Sequence, residues 1–226
     1  MNEKNSVLKL IFLTIFPEVF QNYFNFSIQK KAREIKCLET EIYNIRDYAK
    51  DRKVDDYQYG GGSGMVMKIE PLVNALNDIK MKLYRENKDI NPYIILLNPQ
   101  AKVFKQIDVQ RLLKKKNLIF VSGRYEGIDK RFSNYVDEEL SIGEFITMGG
   151  ELPALIISET LIRAIPGLIK EESFQNETFF DGSFDYDCYT RPEEFDNLKV
   201  PSVLLSGNHK EIKEWRFNNS FRKKIK

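Results

Sequence analysis

Backbone groups, rather than a cluster of reactive side chains, are the first chemistry this chain offers. Gly123-Arg124-Tyr125-Glu126-Gly127 follows one apolar run, and the stretch from Ser141-Ile142-Gly143 to Gly149-Gly150-Glu151-Leu152-Pro153 follows another. Glycine removes the side chain that would keep a ligand away from the main chain. Two such loops close together in sequence suggest one pocket lined by backbone, with Pro153 suited to the first turn of a departing helix. Asn98-Pro99-Gln100 follows a third apolar run, at the carboxyl end of a strand, where open α/β sheets bind ligands. Asn-Pro by itself would mark only a turn. Charge adds a second clue. From Glu171 to Asp187 there are six acids and no Lys or Arg, and from Lys199 to Lys226 there are eight basic residues against Glu211 and Glu214. Such runs form solvated faces, and an acidic site beside a basic surface also suits chemistry on a polyanion. The combination reads as a ligand-binding enzyme.

Other chemistries are excluded by residue type. Gly60-Gly61-Gly62 with Gly64 lacks the Gly-Lys-Ser/Thr ending of a phosphate loop. No Gly-x-Gly-x-x-Gly follows a strand with an acid suitably downstream, so a dinucleotide fingerprint fails. The glycines then read either as a mobile surface loop or as one that closes on a large substrate. Cys37 and Cys188 make neither a disulfide framework nor a zinc site. A single histidine, His209, excludes any multi-histidine metal cluster and reads as a helix-terminus or surface residue.

The elements that position these loops follow from the apolar pattern. At 226 residues, 42% hydrophobic and 30% charged with a net charge of +2, the chain is an ordinary globular protein with one main domain. Val7 to Phe16 is apolar, but Lys9 interrupts it, Pro17-Glu18 ends it and no cleavage site follows, so it reads as a buried strand rather than a signal peptide. No run reaches the ~20 apolar residues of a spanning helix, which places the protein in the cytoplasm. Strands are predicted at Leu10–Phe16, Leu38–Tyr43, Tyr93–Leu97, Leu118–Ser122 and Tyr135–Ile142. Helices are predicted from Pro17 to Phe26, from Pro71 with the stripe Leu72, Leu76, Ile79 and Leu83, over Asp108–Lys116 and over Glu151–Ile165. Arg46 to Gly64 reads as a long loop. A last helix starts near Asn208, with Glu211 completing a capping box. Alternating strands and helices imply an α/β fold with a mainly parallel sheet.

Read together, these stretches resemble the bacterial tRNA (guanine-37-N1)-methyltransferases of the SPOUT class. The resemblance is carried by Asp55 to Met65, Asn98 to Gln100, Gly123 to Asp129, Ser141 to Phe145, Gly149 to Ala154, Tyr189-Thr190-Arg191-Pro192 and Pro201 to His209. It implies a deep trefoil knot, with Ile142–Pro153 threaded through the loop near Gly123–Gly127, although knots are nearly absent among folds. It further implies three parts: a knotted methyltransferase domain over 1–167, an acidic linker and active-site loop over 168–185, and a small, mostly helical tRNA-binding domain over 186–226. S-adenosylmethionine would lie bent among Leu96, Leu97, Asn98, Pro99 and Gln100, then Gly123, Tyr125 and Glu126, then Ile142, Gly143, Glu144, Phe145, Ile146, Thr147, Gly149, Gly150 and Pro153. Gly60, Gly61, Gly62, Asp185, Tyr189, Arg191 and Arg216 would meet tRNA. The family is a homodimer whose partner chain completes each active site, and its members depend on Mg²⁺, for which no ligand set is readable. The family also continues past the position of Lys226, which implies a smaller tRNA-binding surface here.

Methylating N1 of guanine requires removal of the N1 proton. A carboxylate at the Watson–Crick edge accepts from N1–H and the 2-amino group, which selects against adenine, and a cation stabilises the charge that spreads to O6. The base must leave its stack to be reached. The resemblance assigns the cation to Arg163, which otherwise reads as a charge at a helix end. It assigns the base to Glu177, in Glu177-Thr178-Phe179, where the family has aspartate; Asp181 and Asp185 are the alternatives. Competing readings are a SPOUT methyltransferase acting on another RNA nucleotide and a non-catalytic RNA-binding homologue.

Overall fold

Leu8–Thr14 forms β1, and every residue of it is buried. Along the chain follow α1 (Pro17–Tyr23), α2 (Ser27–Glu34), β2 (Leu38–Asn44), β3 (Asp55–Asp56), β4 (Val66–Met67), α3 (Ile69–Glu86), β5 (Tyr93–Val103), α4 (Asp108–Leu113), β6 (Asn117–Val121), β7 (Glu138–Ser141) and α5 (Glu151–Arg163). The computed structural model describes residues 7–169 and 186–220. The chain divides into two units, residues 1–169 and 170–226.

In the first unit five strands form one sheet in the order β2-β1-β6-β5-β7, and every pairing is parallel. Strands covered on both faces read as near-continuous apolar runs, as LKLIFLT and NLIFV do here. Alternate residues serve opposite layers. Ile11 and Leu13 pack with Ile94, Ile119 and the buried stripe Leu72, Leu76, Ile79 and Leu83 of α3. Phe12 stacks against Phe20 of α1 at 4.4 Å and Phe120 at 5.6 Å, with Phe24 at 5.4 Å. Each such side chain contributes roughly 1.5–3 kcal/mol on burial.

Lys9 is tolerated inside β1 because its ammonium is fully partnered. It meets Glu41 Oε1 and Glu86 Oε2, each at 2.8 Å. Burial alone would lower its pKa, but hydrogen bonds and charge from the two carboxylates outweigh that and raise it.

Several boundaries differ from the sequence reading. β1 lies two residues earlier than predicted, because Thr14 Oγ1 accepts the Phe16 N–H at 2.9 Å and turns the chain before Pro17. The region after Pro17 is two helices, with a break at Phe24–Phe26 and Ser27 at φ 54°. Within the predicted loop after Arg46, Asp55–Asp56 pairs with Val66–Met67. The strand predicted from Tyr135 begins only at Glu138. Its first part belongs to a 3₁₀ helix, Lys130–Tyr135, started by Asp129 accepting from the Arg131 N–H. α4 ends at Leu113, and Lys116 takes φ 60°.

In the second unit, Glu194–Phe195 pairs with Leu198–Lys199. The connecting Asp196 and Asn197 have φ 48° and 64°, the left-handed pair that a two-residue type I′ turn requires. A helical turn, Ser202–Leu205, precedes the helix His209–Ser220. Asn208 caps that helix through Oδ1, accepting from Lys210 N–H at 3.1 Å. The predicted capping box is half formed, since the Asn208 N–H donates to Ser206 Oγ instead. His209 opens the helix in an exposed position. Among the described residues no helix is long and apolar enough to cross a membrane.

Candidate active site

Three loops leave the carboxyl ends of β6, β5 and β7, which are consecutive in the sheet. The first interrupts β5 rather than ending it. Leu140 of β7 is the register partner of both Leu97 and Lys102, so Asn98–Ala101 is extruded from the ladder. Asn98 Oδ1 accepts the Gln100 N–H at 3.0 Å and shapes the excursion. Leu96 and Leu97 are buried, so they offer the loop only their main chain.

The second loop, after β6, is tied to the β3–β4 hairpin. Glu126 N–H donates to the Met65 carbonyl at 3.0 Å, and Met67 N–H to the Gly127 carbonyl at 2.9 Å. The hairpin carries Gly60, Gly61 and Gly62, all exposed with φ 85°, 79° and 132°. Tyr125 is also left-handed, at φ 61°, and half exposed.

The third loop runs from Ile142 to Gly150. Gly143 has φ 153°, a backbone conformation that favours glycine, and a Cβ there would have to displace the exposed Phe145 ring, 2.4 Å away. Thr147 Oγ1 donates to the Gly149 carbonyl at 2.8 Å. Glu144, Phe145 and Ile146 are exposed. The loop returns across the end of β6 in close contact. Gly150 N–H donates to the Gly123 carbonyl at 2.9 Å, and a Cβ on Gly150 would lie 2.7 Å from Ser122 Cα. A backbone atom cannot yield as a flexible side chain can, so only glycine fits.

A buried carboxylate anchors this crossing. Glu151, in the first turn of α5, is 1% exposed. Its Oε1 accepts from Thr14 Oγ1 at 2.8 Å and its Oε2 from Arg124 Nε at 2.9 Å. Arg124 also donates to the Met148 carbonyl at 3.2 Å and lies 4.5 Å from the centre of the Phe16 ring. One side chain thus joins the end of β1, the second loop and the third. Pro153 follows, buried, in the same helical turn.

The site predicted from sequence is therefore only partly assembled among the described residues. The three loops come together. Arg163 lies exposed in the last turn of α5, roughly 18 Å along the helix axis from Glu151. Glu177, Asp181 and Asp185 lie outside the described residues. Tyr189, Arg191 and Arg216 belong to the second unit, where they line a 490 Å³ cleft with Tyr186 and Trp215. There the Arg216 guanidinium sits 4.9 Å from the centre of the Tyr186 ring. Among the described residues no three His, Cys, Asp or Glu side chains gather into a donor set for a cation.

The sequence model of the family described as "tRNA (Guanine-1)-methyltransferase TrmD" matches residues 8–226. The chain belongs to this tRNA (guanine-1)-methyltransferase family. Among its curated relatives, the tRNA (guanine-N(1)-)-methyltransferase of Mycoplasmopsis synoviae is 45% identical over 96% of this chain and 93% of its own length. The proteins of the same name from Fusobacterium nucleatum and Clostridioides difficile are 45% and 46% identical. They cover 96% and 93% of this chain, and 87% and 91% of their own lengths.

Within this methyltransferase family frame, the residues that sequence reading missed are the polar ties. Glu151 and Arg124 were visible only as parts of motifs, with no role attached. Thr14 gave no signal at all, standing 137 positions from the carboxylate it meets. A buried glutamate at a helix start is detectable in sequence only as an acid favoured in a first turn.

Proposed function

We propose that this chain transfers a methyl group from S-adenosylmethionine to N1 of guanine 37 of tRNA, next to the anticodon. The observation that carries the reading is the convergence of the three strand-end loops, with Gly150 pressed on Ser122 and Gly123, in a chain of this family. The loops fit a ligand held by main chain. Among the described residues Ser122 Oγ, just past the end of β6, is buried without a hydrogen-bond partner, and Gly127 has open space where a Cβ would stand. The residues that would hold the donor are those of the Leu96–Gln100, Gly123–Glu126 and Ile142–Pro153 segments.

Bound there, S-adenosylmethionine supplies an electrophilic methyl on a sulfonium. The protein's own residues do the rest. Glu177 takes the N1 proton and accepts from the 2-amino group, so the base is chosen and activated by one contact. Arg163 stabilises the charge that moves to O6. N1, once deprotonated, would be the nucleophile that accepts the methyl group. Asp185 assists in holding the target guanine.

The same reading includes the knot, with Ile142–Pro153 threaded past Gly123–Gly127; the close approach of Gly150 to Ser122 supports it. It includes a homodimer in which the partner completes the site. Supporting this, Ile146, Met148, Leu152 and Ile156 are 80%, 87%, 59% and 50% exposed. Apolar side chains grouped in this way mark interaction surfaces. It divides the chain into a methyltransferase domain over 1–167, an acidic active-site loop over 168–185 and a tRNA-binding part over 186–226. In the last, Tyr189, Arg191 and Arg216 meet the nucleic acid, with phosphate contacts from the basic end.

The test is incubation of the purified protein with labelled S-adenosylmethionine and paired tRNA transcripts carrying G or A at position 37. Label on N1 of the G transcript alone is the expected outcome. Equal labelling of both, or label on another nucleotide, would refute the assignment.

A further inference from the structure

We propose that Glu139 is a positioning residue for the methyl donor, acting through Asn98 on the Asn98–Ala101 loop. This rests on the reading of that loop as part of the S-adenosylmethionine site. Glu139 of β7 is the register partner of Leu96 in β5. Side chains alternate along a strand, so Asn98 emerges on the same face as Leu96, diagonally across from Glu139. Asn98 Nδ2 donates to Glu139 Oε2 at 2.6 Å, while Asn98 Oδ1 accepts the Gln100 N–H at 3.0 Å.

The two contacts depend on one another. A carboxylate only accepts hydrogen bonds, so it compels Asn98 to present its amino group to β7. The amide oxygen is then left facing Gln100, where it folds the extruded loop. Turned the other way, Asn98 would set oxygen against carboxylate and NH₂ against N–H, losing both contacts. Glu139 is itself held, with Lys130 Nζ at 3.2 Å from Oε1 and a further side-chain hydrogen bond from Ser133. Burial pushes its pKa up, but the hydrogen bonds from Ser133, Asn98 and Lys130 prevail and hold it below the ordinary glutamate value. It therefore stays an acceptor through the neutral range.

The alternative is that Glu139 merely fastens β7 to the Lys130–Tyr135 helix, and the two roles separate experimentally. The full chain is titrated with S-adenosylmethionine, assayed with the guanine-37 transcript, and melted. Glu139→Ala should weaken donor binding and raise the donor KM about tenfold, the scale of a lost charge-assisted hydrogen bond, leaving kcat at saturating donor unchanged. Glu139→Gln should restore most of the affinity, since an amide oxygen still accepts from Asn98 while exposed Lys130 swings away. Asn98→Ala should lose as much as Glu139→Ala, and combining the two should cost nothing further. Wild-type affinity in Glu139→Ala, additive losses, or a lowered melting temperature at unchanged donor KM would each overturn the proposal. Failure of the wild-type protein to bind S-adenosylmethionine would instead remove the site on which the proposal stands.

Discussion

The middle of the sheet and its carboxyl edge hold the chain together by different means. From Leu8 to Leu13 neighbouring strands are fastened by apolar side chains on both faces, with Lys9 the one charge admitted and fully paired. At the edge, beyond Thr14, Leu97, Val121 and Ser141, the backbone segments approach through glycine and are tied by polar groups. There Gly150 presses on Ser122, Glu151 joins Thr14 to Arg124, and Glu139 holds Asn98. An apolar core tolerates exchange of one hydrocarbon for another of similar volume. Close backbone contacts and matched hydrogen bonds do not. The first region supplies stability, and the second gives up apolar packing to leave main chain accessible.

Substitutions can separate the two regions. Phe12→Ala should have the largest effect on stability, about 3–5 kcal/mol, because its ring meets Phe20, Phe24 and Phe120. Chemical denaturation measures it, and donor affinity below the transition should match wild type. Gly150→Ala should behave in the opposite way. Its Cβ would stand 2.7 Å from Ser122 Cα, a clash costing about 1–3 kcal/mol, yet calorimetric titration should show donor binding abolished. If Phe12→Ala impaired binding more than Gly150→Ala did, the distinction between core and edge would collapse.

These two positions also show what a single sequence reveals. Phe12 stands in a run whose apolar density announces a buried strand, and the α3 stripe from Leu72 to Leu83 announces its face equally well. Gly150 was legible as a loop glycine, but its partner was not, since nothing local connects it to Ser122. The extrusion of Asn98–Ala101 was hidden for a related reason. It is defined by register against β7, and the sequence of β5 alone reads as a strand followed by a turn. The 3₁₀ helix at Lys130–Tyr135 was hidden by Tyr135 and Val136, whose residue types favour strand, whereas the Asp129 side chain decides the local structure.

Smaller effects refine the comparison. Glu151→Gln keeps the shape but removes the charge facing Arg124, and should cost about 1–3 kcal/mol. Donor KM should rise with it, because the Met148 carbonyl is held by the same arginine. The smallest expected effect on donor affinity lies away from the edge, at Glu41. Burial pushes this carboxyl up, but hydrogen bonds from Lys82, Lys9 and Tyr43 bring it down to about 2, from an ordinary value of 4.5. A depressed folded-state pKa contributes stability that is complete above the unfolded value and is lost as pH falls through the folded one. The melting temperature should therefore decline between about pH 4.5 and 2, and Glu41→Gln should flatten that decline without changing donor affinity at neutral pH.

Amide hydrogen exchange with and without S-adenosylmethionine tests most directly whether the strand-end loops bind the donor. Slowed exchange confined to Asn98–Ala101, Gly123–Gly127 and Ile142–Gly150, with the β1–β2 pair unaltered, is the predicted result. Unchanged exchange in all three loops at saturating donor, or protection confined to residues 186–220, would contradict the account.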